Sequence, residues 1–191
     1  KIKMIKIGIT GSLASGKTVA SRILSFNKGP LFSADKIVKQ MYKKNKFKAQ
    51  IKKRLNIPNR VNLKKFLRLK ILKDKSNIKI LERILHPLVR KEMIKFTKKN
   101  KKQKFIFFEI PLLVESKLMK HFDVIFFIKA KKNIRLKRFH IKGGSKDLFE
   151  ILNSKQLSDA KKAKYCNHVV VNEKNLKILK RNLLDIFEKY E

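Results

Sequence analysis

One segment near the N-terminus constrains the fold more than any other part of the chain. It reads Gly11-Ser12-Leu13-Ala14-Ser15-Gly16-Lys17-Thr18. This order matches the pattern of a loop that binds phosphate between a strand and a helix. An apolar run from Met4 to Ile9 precedes the loop, and a helical pattern from Val19 to Leu24 follows it. The alternative is a chance Gly-Lys-Thr in a lysine-rich chain, and the correct spacing and flanking segments both argue against it.

Each part of this loop has a chemical role. Glycines let successive backbone N–H groups point at anionic oxygens, and the helix N-terminus adds partial positive charge. Lys17 is expected to reach the β- and γ-phosphates, and the Thr18 hydroxyl is expected to hold Mg²⁺. We therefore predict binding of a nucleoside triphosphate. The predicted nucleotide-binding residues are Gly11, Ser12, Leu13, Ala14, Ser15, Gly16, Lys17, Thr18 and Val19.

The composition is that of a globular protein. A chain of 191 residues with 43% hydrophobic residues can build one core with a modest insertion. No apolar stretch is long enough to cross a bilayer, and no signal peptide is recognisable at the N-terminus. A single cysteine, Cys166, rules out an internal disulfide and fits a reducing compartment. We expect a cytoplasmic protein with no membrane partner.

The net charge of +37, from 51 lysines and arginines against 14 acidic residues, suggests nucleic-acid binding. However, the lysines are spread over the whole chain, and no RNA-binding signature is present. The aromatic residues are mostly phenylalanines in apolar runs, which is typical of a core rather than of base stacking. We expect nonspecific attraction to polyanions at low salt and no specific nucleic-acid partner.

Short apolar runs alternate with helical stretches, which predicts an α/β fold with a parallel sheet of roughly five strands flanked by helices. This is the P-loop NTPase fold class. The predicted strands are Met4–Thr10, Leu31–Ser33, Phe105–Glu109, Val124–Ile128 and His168–Val171. The third and fourth runs are apolar almost throughout, as strands buried on both faces should be.

A long lysine-rich helical region, Lys36 to about Lys99, separates the second and third strands. Pro58 breaks it once, and the segment Asp74–Asn77 breaks it again. An insertion of this kind usually shapes an acceptor pocket over the strand C-termini. Its alternative interpretation is plain scaffolding.

A second basic segment runs from Lys131 to Lys155. Its basic residues and the glycines after them are Arg135, Lys137, Arg138, His140, Lys142, Gly143 and Gly144. Basic residues on a helix that ends in a glycine pair are typical of a lid that closes over phosphates. A solvated helix face with a glycine-marked end is the alternative.

Acidic residues at strand ends are the candidates for catalysis. The chain lacks the Asn-Lys-x-Asp element of GTPases and is short for a motor ATPase, which leaves a compact kinase for a small molecule. Asp35 follows the second strand, where it could activate an acceptor hydroxyl or serve as a helix N-cap, and we favour the catalytic role. Glu109 ends the third strand, where it could hold Mg²⁺ through water or cap a loop.

Together these residues resemble the dephospho-CoA kinase family. The resemblance covers most of the chain, and its His-Pro and Ile-Pro-Leu-Leu elements are more specific than the loop. The matching segments are Ile7–Gly11, Ser33–Asp35, Leu81–Arg90 with its His-Pro pair, Glu109–Glu115 with its Ile-Pro-Leu-Leu run, Gln156 and Cys166–Asn172.

The resemblance implies ATP-dependent phosphorylation of the ribose 3′-hydroxyl of dephospho-CoA, with ATP as donor and Mg²⁺ as cofactor. It implies catalytic roles for Asp35, Lys17, Arg138 and Lys142, and a place for Asn172 near the ATP base. The residues that it implies for the acceptor side are Asp35, His86, Pro87, Pro111, Leu112, Leu113 and Glu115. The expected organisation is a nucleotide-binding core (1–35, 103–134 and 156–191), a helical acceptor region (36–102) and a lid (135–155).

Three positions depart from the family pattern. Ser33 replaces an aspartate, Asn167 stands where aspartate is usual, and Lys142 stands where arginine is usual. Lysine lacks the two-pronged geometry of arginine, so Lys142 should clamp phosphate less well unless another arginine compensates. The His86-Pro87 pair could also be a helix start. Another small-molecule or nucleoside monophosphate kinase, or a basic RNA-binding factor that depends on a nucleotide, remains an alternative function.

Overall fold

A parallel five-stranded sheet organises one of the two units into which the chain divides. The computed structural model describes residues 3–191. The strands are β1 (Ile5–Gly11), β2 (Leu31–Ser33), β3 (Phe105–Glu109), β4 (Val124–Lys129) and β5 (His168–Val171). They lie in the order β2-β3-β1-β4-β5, and every neighbouring pair is parallel. The predicted fold class is confirmed, and the predicted strand limits differ from those observed by one residue at most.

The helices connect these strands and fill the insertion. They are α1 (Lys17–Ser25), α2 (Ala34–Met41), α3 (Asn45–Arg54), α4 (Leu63–Lys73), α5 (Ser76–Lys99), α6 (Lys132–Ile141), α7 (Lys146–Ser154), α8 (Asp159–Ala163) and α9 (Leu176–Phe187). Two short 3₁₀ turns cover Met119–His121 and Glu188–Tyr190.

The sheet unit comprises the residues up to 33 and residues 96–191. Helices α1 and α9 cover one face of its sheet, because the inward residues of both helices join the same apolar cluster as alternate strand residues. On the other face, Phe108 lies 5.4 Å from Phe96 and 5.3 Å from Phe122 between ring centroids. Burial on both faces explains why β3 is apolar from Phe105 to Phe108.

The helical unit comprises residues 34–95. Its core is an apolar cluster made by the inward faces of α2, α3, α4 and α5 and by the segment between α3 and α4. The buried members of this cluster are Met41, Phe47, Ile51, Leu55, Ile57, Leu67 and Leu81. The interruptions expected at Pro58 and at Asp74–Asn77 fall where α3 gives way to α4 and α4 to α5. The Asn62 side chain caps α4 by accepting from the Lys65 N–H at 3.1 Å.

Pro87 lies inside α5. The suggestion that His86-Pro87 starts a helix is therefore wrong. The helix begins at Ser76, whose backbone N–H and hydroxyl donate hydrogen bonds to the carboxylate of Asp74. Proline inside a helix removes one backbone hydrogen bond and tends to bend the axis.

Candidate functional site

The predicted phosphate loop forms the turn between β1 and α1 in the sheet unit. Its last glycine, Gly16, has φ 94° and ψ 17°, and Ala14 has φ 59°. A side chain on Gly16 would overlap Asn172 Nδ2. Glycine is therefore required at position 16 for its left-handed backbone and for the space that Asn172 occupies.

The N-terminus of α1 faces this turn. Its first intrahelical bonds run from the N–H groups of Val19 and Ala20 to Gly16 O, at 3.0 and 3.1 Å. The earliest N–H groups of a helix have no acceptor within the helix, and they carry its partial positive charge. The first turn of α1 contains no acidic residue, and Lys17 is buried. This arrangement favours an anion such as phosphate.

The Thr18 hydroxyl donates a hydrogen bond to Glu109 Oε1. Glu109 ends β3 and is 1% exposed, so its carboxylate lies inside the sheet unit. Hydroxyl and carboxylate oxygens are the donors that Mg²⁺ prefers. Within residues 3–191, no group of three or more His, Cys, Asp or Glu side chains could hold a metal alone. A cation beside Thr18 would therefore take further oxygens from bound phosphate or water.

Two predicted site residues, Asn172 and Arg138, donate hydrogen bonds to the backbone of the loop. Asn172 follows β5 directly, is buried, and donates from Nδ2 to Ser15 O at 2.8 Å. Arg138 on α6 donates from one terminal nitrogen to Ser15 O at 3.3 Å and to Asn172 O at 3.1 Å. Both side chains therefore contact the residue that precedes Gly16.

Arg135, one turn earlier on α6, also contacts the loop. Its guanidinium is buried and donates to Leu13 O at 3.3 Å and to Asn153 Oδ1 at 2.8 Å. Burial lowers the pKa of Arg135, and the carboxylates of Asp159 and Glu150 oppose that change. Arginine remains protonated in proteins, so Arg135 places a fixed positive charge beside the loop.

The basic helix ends at its glycine pair. Lys142 is exposed and follows the last residue of α6, and Gly143 has φ 79°. This is a helix end of the type that glycine favours. The next helix, α7, starts after Ser145, whose hydroxyl accepts from the Leu148 N–H. A closing motion of residues 135–155 remains a prediction.

The segment after β3 packs back onto the sheet. Pro111 O accepts from the Thr10 hydroxyl at 3.1 Å. Leu113 is fully buried, and a Cβ added at Gly8 would lie 2.8 Å from its Cδ1. Glu115 Oε1 forms an ion pair with Lys162 Nζ, in the same unit, at 2.9 Å. Leu113 therefore packs in the interior of the sheet unit, while Pro111, Leu112 and Glu115 are half-buried.

Three predicted residues lie in the helical unit. Asp35 is the second residue of α2, so it occupies the first turn of that helix and is not its N-cap. A carboxylate there is favoured by the helix dipole. His86 is half-buried on α5, and Pro87 lines a cavity of about 540 Å³ within the helical unit. The cavity walls are Gln50, Arg54, Ile80, Arg83, Ile84, Pro87 and Leu88.

Comparison with known proteins identifies the family. The dephospho-CoA kinase family model matches residues 5–177. The chain belongs to the dephospho-CoA kinase family. It is 38% identical over 135 residues to the dephospho-CoA kinase of Rickettsia typhi, covering 71% of this chain and 70% of that one. It is 31% identical over 189 residues to that of Bartonella quintana, covering 95% and 96%.

A solved family member has the same fold. The dephospho-CoA kinase from Campylobacter jejuni superposes with a TM-score of 0.62 at 20% identity, covering 98% of each chain. Kinase family membership makes the chain a transferase with ATP as phosphoryl donor. The helices of residues 3–191 include none that combines the length and low polarity needed to cross a bilayer.

The structure brings together the loop, Arg138 and Asn172 as neighbours in one unit, and it adds contacts that the sequence did not predict. Gln156 Oε1 accepts from the Leu13 N–H at 2.9 Å, and Asp159 Oδ1 accepts from the Ser12 hydroxyl at 2.5 Å. Gln156 was recognisable through the family resemblance. Arg135 was named among the basic residues of the predicted lid, but its contact with the loop was not predicted. Asp159 had no signal, because it does not follow a strand.

Proposed function

We propose that this protein transfers the γ-phosphoryl group of ATP to the ribose 3′-hydroxyl of dephospho-CoA, giving CoA and ADP. The observation that carries the proposal is the loop between β1 and α1, with left-handed Gly16 and with Lys17 and Thr18 at the helix start. The family supplies the acceptor: the matched relatives are dephospho-CoA kinases.

The donor phosphates would lie against the N-terminus of α1. Lys17 would bind the β- and γ-phosphate oxygens, while the loop N–H groups would bind the remaining phosphate oxygens of ATP. Thr18 would ligate Mg²⁺, and Glu109 would orient the Thr18 hydroxyl or a water on the ion. When bound, Mg²⁺ would neutralise charge on the phosphate oxygens.

The acceptor hydroxyl would be activated by Asp35. In this step the bond between the γ-phosphorus and the β–γ bridging oxygen breaks, and a bond to the ribose 3′ oxygen forms. The hydroxyl proton passes to the Asp35 carboxylate. Support comes from chain position: Asp35 comes two residues after β2, a strand parallel to β1, whose C-terminal end leads into the loop. We expect His86, Pro87 and Pro111–Glu115 to shape the acceptor side.

Arg138 and Lys142 would stabilise the transferring phosphoryl group, and Asn172 would lie near the adenine. Arg138 already contacts the loop through Ser15 O, so a short side-chain movement would redirect its guanidinium toward an anion there. Residues 135–155 would act as a lid that excludes water, so that the phosphoryl group reaches ribose rather than solvent. We further propose a cytoplasmic enzyme with no specific nucleic-acid partner.

The decisive experiment compares ATP turnover with dephospho-CoA, AMP, CMP, shikimate and water as acceptors. We expect dephospho-CoA alone to accelerate ADP release strongly above the rate with water. Equal acceleration by another acceptor would identify a different small-molecule kinase. Tight RNA binding that survives physiological salt would instead support a nucleic-acid function, whereas binding lost on adding salt reflects nonspecific charge.

The role of Asp35 has its own test. Asp35→Asn keeps the size of the side chain and removes the base, so kcat should fall by ~10²–10⁴-fold while nucleotide affinity changes little. Asp185→Asn, on α9, is the matched control and should retain full activity. A near-normal kcat for Asp35→Asn would contradict the assignment.

A further inference from the structure

A buried cation, Lys162, lies in the sheet unit and has no role in the mechanism above. It is on α8 and is 0% exposed, although lysine is seldom fully buried unless it is paired. Its ammonium lies 2.9 Å from Glu115 Oε1 and 3.4 Å from Gln156 Oε1. Gln156 is six residues from Lys162, whereas Glu115 follows β3, so Lys162 connects two segments that are distant in the sequence.

The Gln156 partner connects Lys162 to the phosphate loop. Gln156 Oε1 accepts from the Leu13 N–H at 2.9 Å, so one oxygen serves both the loop and the lysine. The same stretch of chain also contacts the preceding loop residue, because Asp159 accepts from the Ser12 hydroxyl. Two consecutive residues of the loop are thus held from one side by residues 156–159.

The Glu115 partner places a carboxylate against the buried ammonium. Glu115 Oε1 accepts from Lys162 and, at 3.1 Å, from the Leu157 N–H. Its other oxygen is buried and has no hydrogen-bond partner within the described chain. The carboxylate therefore depends on Lys162 for its compensating charge, and the buried ammonium depends on the carboxylate.

We propose that Lys162 is a positioning residue for the phosphate loop. A glutamine amide can turn over and present its NH₂ group, which cannot accept a hydrogen bond. The Lys162 ammonium and the Leu13 N–H both donate to Gln156 Oε1. Turning the Gln156 amide over would therefore lose both hydrogen bonds. Lys162 thereby fixes the acceptor that holds the loop backbone. The inference rests on the proposed function only in requiring that this loop binds nucleotide.

This role predicts a defect in nucleotide affinity, since Gln156 links Lys162 to the Leu13 N–H of the loop. Lys162→Met keeps the length of the side chain and removes its charge. The dissociation constant for ATP with Mg²⁺, measured by calorimetry without any acceptor, should rise by about tenfold or more, the scale of one charge-assisted hydrogen bond. Lys161→Met, which changes the exposed neighbour on the same helix, should leave the dissociation constant unchanged.

A second variant separates positioning from folding. Lys162→Met alone leaves Glu115 with an uncompensated buried charge and can fail to fold. The double variant Lys162→Met/Glu115→Gln removes both charges, so its melting temperature should return toward that of the unmodified protein. We expect its ATP affinity to stay about tenfold weaker. Normal ATP affinity in the folded double variant would overturn the proposal.

The path through Gln156 is tested by additivity. Gln156→Leu should weaken ATP binding by a similar factor, because the Leu13 N–H loses its acceptor. Adding Gln156→Leu to the double variant should cause little further loss, because both changes remove the same restraint. Independent, multiplying losses would show that Lys162 acts by another route and would reject the proposal. Failure of the protein to phosphorylate dephospho-CoA would leave these affinities readable and would reject only the proposed acceptor.

Discussion

The phosphate loop and the helical unit are each stabilised by a different kind of interaction. Side-chain bonds to the loop cross most of the chain: Gln156 is 143 residues from Leu13, and Asn172 is 157 residues from Ser15. In the helical unit, by contrast, the hydrogen bonds of Asp74 and Asn77 join residues two to seven positions apart. There the distant parts of the chain meet through apolar side chains.

This difference separates function from stability. The loop backbone is fixed from several sides by polar groups, so changes there should alter nucleotide binding and catalysis before they unfold the protein. The helical unit depends on the burial of apolar surface, which is nondirectional and proportional to area. Changes in its core should therefore reduce stability first.

The largest effect is expected at Lys17. Lys17→Ala removes the cation that would bind the transferring phosphate, and turnover should fall toward the uncatalysed rate, by at least ~10²–10³-fold. The melting temperature should stay close to that of the unmodified protein. The control is Lys180→Ala, an exposed cation on α9, which should keep full activity. A large drop in melting temperature would show that Lys17 is structural and would weaken the contrast.

The next largest effect concerns the core of the helical unit. Ile51 is 0% exposed, and Ile51→Ala should cost about 2–5 kcal/mol of unfolding free energy. Ile94→Ala makes the same chemical change at a side chain that is 58% exposed, and should cost less than about 0.5 kcal/mol. Hydrogen exchange should show peptides from residues 34–95 losing protection first in Ile51→Ala. Equal loss around the phosphate loop would contradict independent support of the two regions.

The same contrast explains what the sequence could predict. The strands were predictable because burial on both faces leaves unbroken apolar runs such as Phe105–Phe108. The loop was predictable because its chemistry needs fixed residue types at fixed spacing. Both signals are local in sequence.

Long-range polar contacts left no comparable signal. Nothing local distinguishes Lys162 from its exposed neighbour Lys161, because only the folded chain brings Glu115 to it. The alternative interpretation, that His86-Pro87 starts a helix, failed for a related reason. A His-Pro pair fits a helix start locally, yet α5 continues through it while its apolar residues pack in the helical core. Tertiary packing overrides local preference there.

A smaller effect is expected from the loop glycine. Gly16→Ala places a side chain in the left-handed region and against Asn172 Nδ2. Gly143→Ala also has a positive φ, 79°, but its added Cβ would meet nothing within 4 Å. Strain alone should cost each variant about 1–2 kcal/mol of stability. Nucleotide affinity should fall only in Gly16→Ala, because only there does the loop have to shift. Equal affinity in both variants would show that Asn172 yields without disturbing the loop.

The smallest effect is a pH dependence at the edge of the sheet unit, where a polar contact affects stability rather than function. His168 on β5 packs against Phe126, and its Nε2 lies 2.5 Å from the Tyr190 hydroxyl. Burial lowers the pKa of His168, and the positive charge of Lys189 lowers it further. The folded protein therefore favours the neutral ring, whereas the unfolded chain binds a proton near pH 6.5. The stability from this site is present above that pH and is lost as the pH falls through the lowered value in the folded state.

His168→Phe keeps an aromatic ring at this position and removes the titrating group. The melting temperature of the unmodified protein should therefore fall more steeply than that of the variant between pH 7 and pH 5. If the melting temperatures of the two proteins changed in parallel with pH, the imidazole would be protonated as easily in the folded protein as in the unfolded chain.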